Sequence, residues 1–245
     1  MKTALFLILL AIFPANGQPR TADALLTDAI NKVASLDTVA DLSNGTLKLS
    51  VDFKSDILGR KASGSAKYLI AVKDGRDNAN NLIGRWSSND STIVSMVGRE
   101  LNKRLNKPIM SLYRETAFPW TRFKGRSDRR YDFRATIDSD SALVSGRRCF
   151  LISFTIDAEN DSISADGEGK IWIDTTTLLP VRTYRDFEMN TPRGKAEVKS
   201  YSDFTRLENG LPVMLRSETQ TIPKFLFLSV GSVKTIIEQS DFNLE

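Results

Sequence analysis

Among 245 residues there is no histidine and a single cysteine, Cys149. The groups left for chemistry are carboxylates, hydroxyls, amines and guanidines. A Ser-His-Asp or Cys-His nucleophilic centre, a His-ligated metal and a Cys-rich zinc site are excluded by composition, as is an internal disulfide. Two carboxylates could still serve as acid and base on a glycosidic bond. No spacing of Asp and Glu singles out such a pair, and most fall at the polar positions of the strands described below, so neither enzyme activity nor a metal or cofactor is expected. Cys149 follows Arg147 and Arg148. Either those cations lower its pKa and make it reactive, or it is a small packing residue, as free cysteines usually are. Trp120 and Phe123 are interleaved with Arg122, Lys124, Arg126, Arg129 and Arg130 around Pro119 and Gly125. Such a mixture suits anionic headgroups or stacked bases. It equally suits a lid whose aromatics are buried while its cations reach water. With 34 basic and 30 acidic residues, the charge is too even for a nucleic-acid footprint, and no nucleic-acid partner is expected.

The elements that position these groups are clearest in residues 167–220. Strands are predicted at 170–174, 181–189, 195–206 and 213–221, separated by turns at Pro180, at Pro192-Arg193-Gly194 and at Asn209-Gly210. Asn and Gly tolerate the positive φ that tight hairpin turns need. Ala196, Val198 and Phe204 alternate with Lys195, Glu197, Lys199, Asp203 and Thr205. Val181, Phe187 and Met189 oppose Arg182, Asp186 and Glu188 in the same way. That is an antiparallel meander with one apolar and one wet face. Arg185 breaks the pattern, because it shares the parity of Val181, Thr183, Phe187 and Met189. An unpaired guanidinium on the apolar side is costly. Three resolutions stand open: a bulge near Tyr184 that turns it to solvent, a buried carboxylate partner, or a ligand's polar head.

Upstream, residues 21–36 read as an amphipathic helix. Ala22, Leu25, Leu26, Ala29, Ile30, Val33 and Leu36 form its stripe, Thr21 its N-cap, and Asp23 stands in its first turn. Alternation predicts strands at 47–53 and 66–72, a third at 81–86, and further strands at 131–137 and 150–156. Residues 89–107 read as strand-turn-strand, with a helix capped by Asp90 or Ser91 as the alternative. About ten or eleven strands cannot stay flat and must curl. The expected fold is mainly β (α+β), a half-open antiparallel β-barrel with an N-terminal helix and a lid segment over its apolar face. Phe133, Phe150, Ile152, Phe154, Val198 and Phe204 are candidates to line that face, with Arg185 as the candidate head-group contact. Trp120 and Phe123 are candidate lid or partner contacts. So are Leu226 and Leu228, from the run 225–228, where strict alternation fails. That run is either a strand end tucked under the helix or a protruding tip that meets a transporter or a membrane.

Asp174, the run Leu179-Pro180-Val181-Arg182, Gly194, the strand end Tyr201-Ser202-Asp203-Phe204 and Asn209-Gly210-Leu211-Pro212 resemble the outer-membrane lipoprotein-sorting proteins of the LolA/LolB-like superfamily. Residues 233–243, ending in Asp241-Phe242-Asn243, resemble that family's closing strand. The match covers the last third of the chain well and the first half in outline. Its motifs are turn and strand signals, more specific for fold than for activity. The resemblance implies a periplasmic carrier or binding protein that shields the acyl chains of lipids or lipoproteins and is loaded by an inner-membrane transporter complex. A membrane surface is the further partner it suggests. The alternative is a non-enzymatic sensory or scaffolding module of the envelope with a filled barrel, because fold does not settle function.

Met1 and Lys2 precede ten apolar residues, 4–13, and then Pro14-Ala15-Asn16-Gly17. This is the pattern of a secretory signal cleaved before Gln18, and the apolar run is about half of the ~20 residues that span a bilayer. A lipoprotein signal would place a cysteine at the cleavage point. Residues 1–17 are therefore expected to be removed, leaving 18–245 as one domain, periplasmic, soluble and not lipid-anchored. N-terminal sequencing of protein recovered from the periplasm should begin at Gln18; retention of residues 1–13 would end the compartment assignment.

Overall fold

The computed structural model describes residues 20–37, 40, 44–74, 76–82, 87–91, 109–123, 130–159, 163–191, 194–225 and 228–244. Helix α1 (Ala22–Ala34) begins where the Thr21 hydroxyl accepts the Ala24 N–H at 3.2 Å, and Asp23 faces the positive end of the helix dipole. Its buried stripe, Leu25, Leu26, Ala29 and Val33, is the one that the sequence spacing predicts.

The strands are β1 (Gly45–Ile57), β2 (Arg60–Lys73), β3 (Arg76–Leu82) and the short β4 (Ser87–Ser88). Helix α2 (Ile109–Ala117) then runs into a single 3-10 turn, Pro119–Arg122. The remaining strands are β5 (Arg130–Val144), β6 (Arg147–Glu159), β7 (Ser164–Asp174), β8 (Pro180–Thr191), β9 (Gly194–Arg206), β10 (Pro212–Phe225), the short β11 (Leu228–Ser229) and β12 (Gly231–Leu244). They form one antiparallel sheet in the order β3-β2-β1-β12-β10-β9-β8-β7-β6-β5, with β4 added to β2 and β11 to β10. Among the described residues β3 and β5 pair on one side only, so the sheet is an open half-barrel.

Two features differ from the sequence expectation. The meander is interrupted, because the last strand, β12, lies between β1 and β10 and joins the amino-terminal ribbon to the rest. The third strand begins earlier than the predicted 81–86, at Arg76–Leu82, and overlaps it at Asn81 and Leu82. Its sequence, Arg-Asp-Asn-Ala-Asn-Asn-Leu, has little strand propensity and is held by pairing to β2. Residues 83–86 and 92–108, on which the rest of that reading falls, lie outside the described residues.

The inner face of the sheet is continuous core. Leu47 and Val51 of β1, Ile152, Phe154 and Ile156 of β6, Ile171 and Ile173 of β7, Phe187 of β8 and Phe204 of β9 are buried together with α1 and α2. The outer face carries charges in cross-strand pairs, such as Arg182–Asp203 at 2.6 Å and Lys199–Asp186 at 3.0 Å. Pairs this exposed add little stability each, but they keep polar parity on the wet side.

The parity of β8 departs from expectation at one point. Trp172 pairs with Arg182 and Ile173 with Pro180, which leaves Val181 as the extra residue of a bulge. Val181 packs instead with Val144 and Cys149 in a small outer cluster, with Trp172 against it. Pro180 opens the strand, and the preceding turn is built by Asp174, whose carboxylate accepts the N–H groups of Thr176 and Thr177 at 2.8 Å each.

Candidate functional site

Helix α2 lies across the inner face over β8 and β10. Tyr113 is its deepest anchor: the ring meets Phe204 edge-on at 5.0 Å and the phenol donates to the Pro180 carbonyl at 3.2 Å. Burial pushes that phenol far above its ordinary pKa. Thr183 donates to the Thr116 carbonyl at 3.4 Å, and Arg114 pairs with Asp37 just beyond α1. The chain then bends at Phe118 and Pro119 and drops Trp120 onto the sheet. Its ring stacks on Phe133 at 5.0 Å and lies 4.6 Å from Phe154, with Phe118 edge-on at 5.7 Å.

Strand β7 makes room for these rings by carrying glycine at two inner positions. A Cβ at Gly169 would stand 2.3 Å from the Phe154 ring, and one at Gly167 would stand 2.9 Å from the Phe187 ring. Replacing Gly169 with Val should therefore overpack the stack and lower stability by about 1–3 kcal/mol in chemical denaturation. A variant as stable as wild type would mean that the aromatic layer is loose.

The structure separates the expected site residues into groups. Trp120 and Phe123 are buried at 3% and 2% exposure, so these aromatics close the inner face and do not present a surface. Arg130 is exposed at the start of β5, while residues 124–129 lie outside the described residues. Phe133, Ile152 and Phe154 gather with Trp120 in one core. Phe150 is half-buried at its margin. Val198 stands opposite Phe187 across β8 and β9, half-buried. Phe204 belongs to the Tyr113 end of α2. Leu228 is 72% exposed, and Leu226 lies outside the described residues.

Arg185 is resolved differently from a bulge near Tyr184. The register of β8 against β9 is unbroken from Arg182 to Thr191, the bulge lying earlier at Val181. Arg185 therefore stays on the inner side with Thr183 and Phe187, half-buried and not without a partner. Its cross-strand neighbours form a polar row: Ser200 on β9, Thr219 on β10 and Thr235 on β12. A parallel row runs Thr183, Ser202 and Ser217. The hydroxyls of Ser200 and Thr219 lie 3.1 Å apart and those of Ser202 and Ser217 2.9 Å. Ser200 and Ser202 are nearly sealed from water, at 4% and 1% exposure. The alternation of Ala196, Val198 and Phe204 in the sequence left the two serines between them without a role. The available signal was their shared parity with those apolar residues.

Two cavities are present, one of them reaching Phe154 and Gly169 beneath the aromatic stack. One, about 150 Å³, opens among Arg134, Ser153, Lys170 and Tyr184. The other, about 400 Å³, lies at the turn end of the sheet between Arg147, Asp174, Leu179 and Thr205. Cys149 is wholly buried opposite Asp174, its thiol 3.6 Å from the Arg147 carbonyl. Burial, reinforced by the Asp174 charge, raises its pKa to about 11 despite Arg147 and Arg182. The thiol is thus a packing group. A disulfide reagent at neutral pH should label it only after denaturant unfolds the chain; fast labelling of the folded protein would contradict the burial.

No family model and no curated protein matches this chain. Among solved structures it is similar to a DUF1329 family protein from Desulfovibrio piger ATCC 29098, at 12% identity over 89% of this chain and 92% of that one, TM-score 0.32. It is similar also to an outer membrane lipoprotein-sorting protein domain from Vibrio parahaemolyticus, at 13% identity, the same coverage of each and a TM-score of 0.33. A third is the Pseudomonas aeruginosa MucA/MucB complex, at 11% identity over 88% and 93%, TM-score 0.24. The chain itself is an open antiparallel half-barrel with an amino-terminal helix and a lid, the fold expected from its sequence.

Proposed function

We propose that this chain is a non-enzymatic carrier of the cell envelope that takes acyl chains of a lipid or lipoprotein onto the inner face of its half-barrel, with α2 and the following 3-10 turn as the lid. The observation that carries this reading is the polar stripe inside an apolar face. A core with only a structural task is better filled by apolar side chains, because even bonded buried polar and charged groups gain little over apolar ones of similar volume. A ligand with apolar tails and a polar head uses both surfaces. Its tails replace the rings of Trp120 and Phe118 against Phe133 and Phe154. Its ester or acid oxygens face the several N–H donors of Arg185 and the hydroxyls of Ser200 and Thr219. The leader expected at residues 1–17 and the lipoprotein-sorting resemblance favour the periplasm as the compartment and an inner-membrane transporter complex as the donor.

A second reading, an envelope scaffolding or sensory module with a filled barrel, is favoured by the close packing of Tyr113, Phe118 and Trp120 in the core. Native mass spectrometry of protein purified from the periplasm separates the two. The carrier should retain a lipid or acylated peptide, and Arg185→Leu should weaken its binding of acidic or ester lipids about tenfold, the effect of one lost charge-assisted hydrogen bond, with the melting temperature little changed. Absence of any adduct, together with no fluorescent fatty-acid binding even by a lid-loosened Tyr113→Ala variant, would establish the filled module instead.

A further inference from the structure

Two hairpin turns of this chain share one backbone and differ in one residue type. Leu58-Gly59 has φ of 51° and 77°, and Ser145-Gly146 has φ of 49° and 76°. A turn with positive φ at both central positions favours Asn, Asp or Gly at the first of them, since a short polar side chain tolerates the left-handed region. The polar Ser145 tolerates its place, as does Asp74, at φ 50°, after β2. Leu58 fits neither the backbone nor the solvent, for it is held left-handed with 77% of its surface in water. Strained residues of this kind cluster at functional sites, and unlike Leu178, left-handed at φ 58° but half-buried, Leu58 has no packing to hold it there.

A second exposed leucine belongs to the segment that Leu58 bonds to. The Leu58 N–H donates to the Val230 carbonyl at 2.9 Å, two residues beyond Leu228, which is 72% exposed. Ile57 pairs with Gly231, where a Cβ would lie 1.9 Å from the Asp56 carbonyl, so the two tips are held tightly together. Arg60 and Lys61 follow the turn, both exposed and without an ion-pair partner among the described residues. Asp56 stands across the hairpin from Lys61 and offsets part of that charge.

We propose that Leu58 and Leu228 form a two-pronged tip that enters an anionic lipid surface, with Arg60 and Lys61 at headgroup level. Two side chains on narrow tips offer far less than the ~800 Å² a side of a specific protein interface. A bilayer accepts isolated apolar prongs without matching their shape, and its anionic headgroups attract the flanking cations. Binding through so small a surface is reversible, as repeated contact and release would require. The proposal stands independently of whether the inner face holds acyl chains.

The test is flotation of the full chain with vesicles of equal parts phosphatidylglycerol and phosphatidylcholine, compared with pure phosphatidylcholine. Wild type should float with the anionic vesicles. Leu58→Asn should reduce that binding about tenfold, as withdrawal of one leucine from an apolar phase implies, while its melting temperature stays level or rises because asparagine suits the turn. Replacing Arg60 and Lys61 with Gln should weaken anionic binding and remove its salt dependence. A Leu58→Asn variant that binds as wild type does, or loses binding only by unfolding, would overturn the proposal. So would a wild type that ignores vesicles yet loses capture of an inner-membrane transporter on Leu58→Asn, which would make the tip a protein contact.

Discussion

The inner face depends on one aromatic contact, that of Trp120 with Phe133 and Phe154. A half-barrel leaves its concave surface without the opposing strands that fill a closed barrel, so the apolar side chains of β5 to β9 need a cover brought from elsewhere in the chain. The segment 109–123 supplies it, and the depth to which it can sink is set by the sheet. Two glycines on β7 lower the floor under Phe154 and Phe187, which lets an indole fit above two phenyl rings. Aromatic contacts of this kind add about 0.5–1.5 kcal/mol each beyond the area they bury.

The second dependence is on β12. It pairs with β1 along its whole length and with β10 over six residues, and it is the only described strand that joins the amino-terminal ribbon to the meander. Its register also sets two features at opposite levels of the structure. On the inner face it places Thr235 at the end of the Arg185 row. At the tip, Gly231 brings the backbone of β12 against Asp56 and fixes Leu58 beside the β10–β12 connection. The polar stripe and the leucine tip are thus two consequences of one strand placement.

What could be read from the residues was what alternation encodes. The helix from Thr21, the β7 to β10 hairpins and the inner parity of Ile152, Phe154 and Phe204 follow from local period and turn chemistry. The bulge at Val181 was not legible, because valine fits both faces and the extra residue shows only in the pairing with Trp172 and Ile173. The start of β3 was missed for a related reason: its Asn-rich sequence carries no strand signal, and pairing to β2 overrides propensity. The burial of Trp120 was one of two open readings, since aromatic-basic interleaving looks alike on a lid and on a binding surface. The hydroxyl stripe was hidden because buried and exposed serines are the same letter.

The covered inner face also bears on how a carrier of this form would work. Fully burying a large apolar side chain is worth about 1.5–3 kcal/mol, so unroofing Tyr113, Phe118, Trp120 and Phe123 together would cost about 6–12 kcal/mol. That is comparable to the whole stability of an ordinary domain, and an empty open groove would be a rare species. An acyl chain of about sixteen carbons recovers about 13 kcal/mol when buried, at 0.8 kcal/mol per methylene. The two terms are of the same order, with the chain ahead by about 1–7 kcal/mol. In such a carrier the aromatic lid would act as a stand-in for the ligand and would offset much of the gain from burying the chain. A carrier needs that balance, because a groove that held lipid much more tightly than its own lid could accept cargo and never release it.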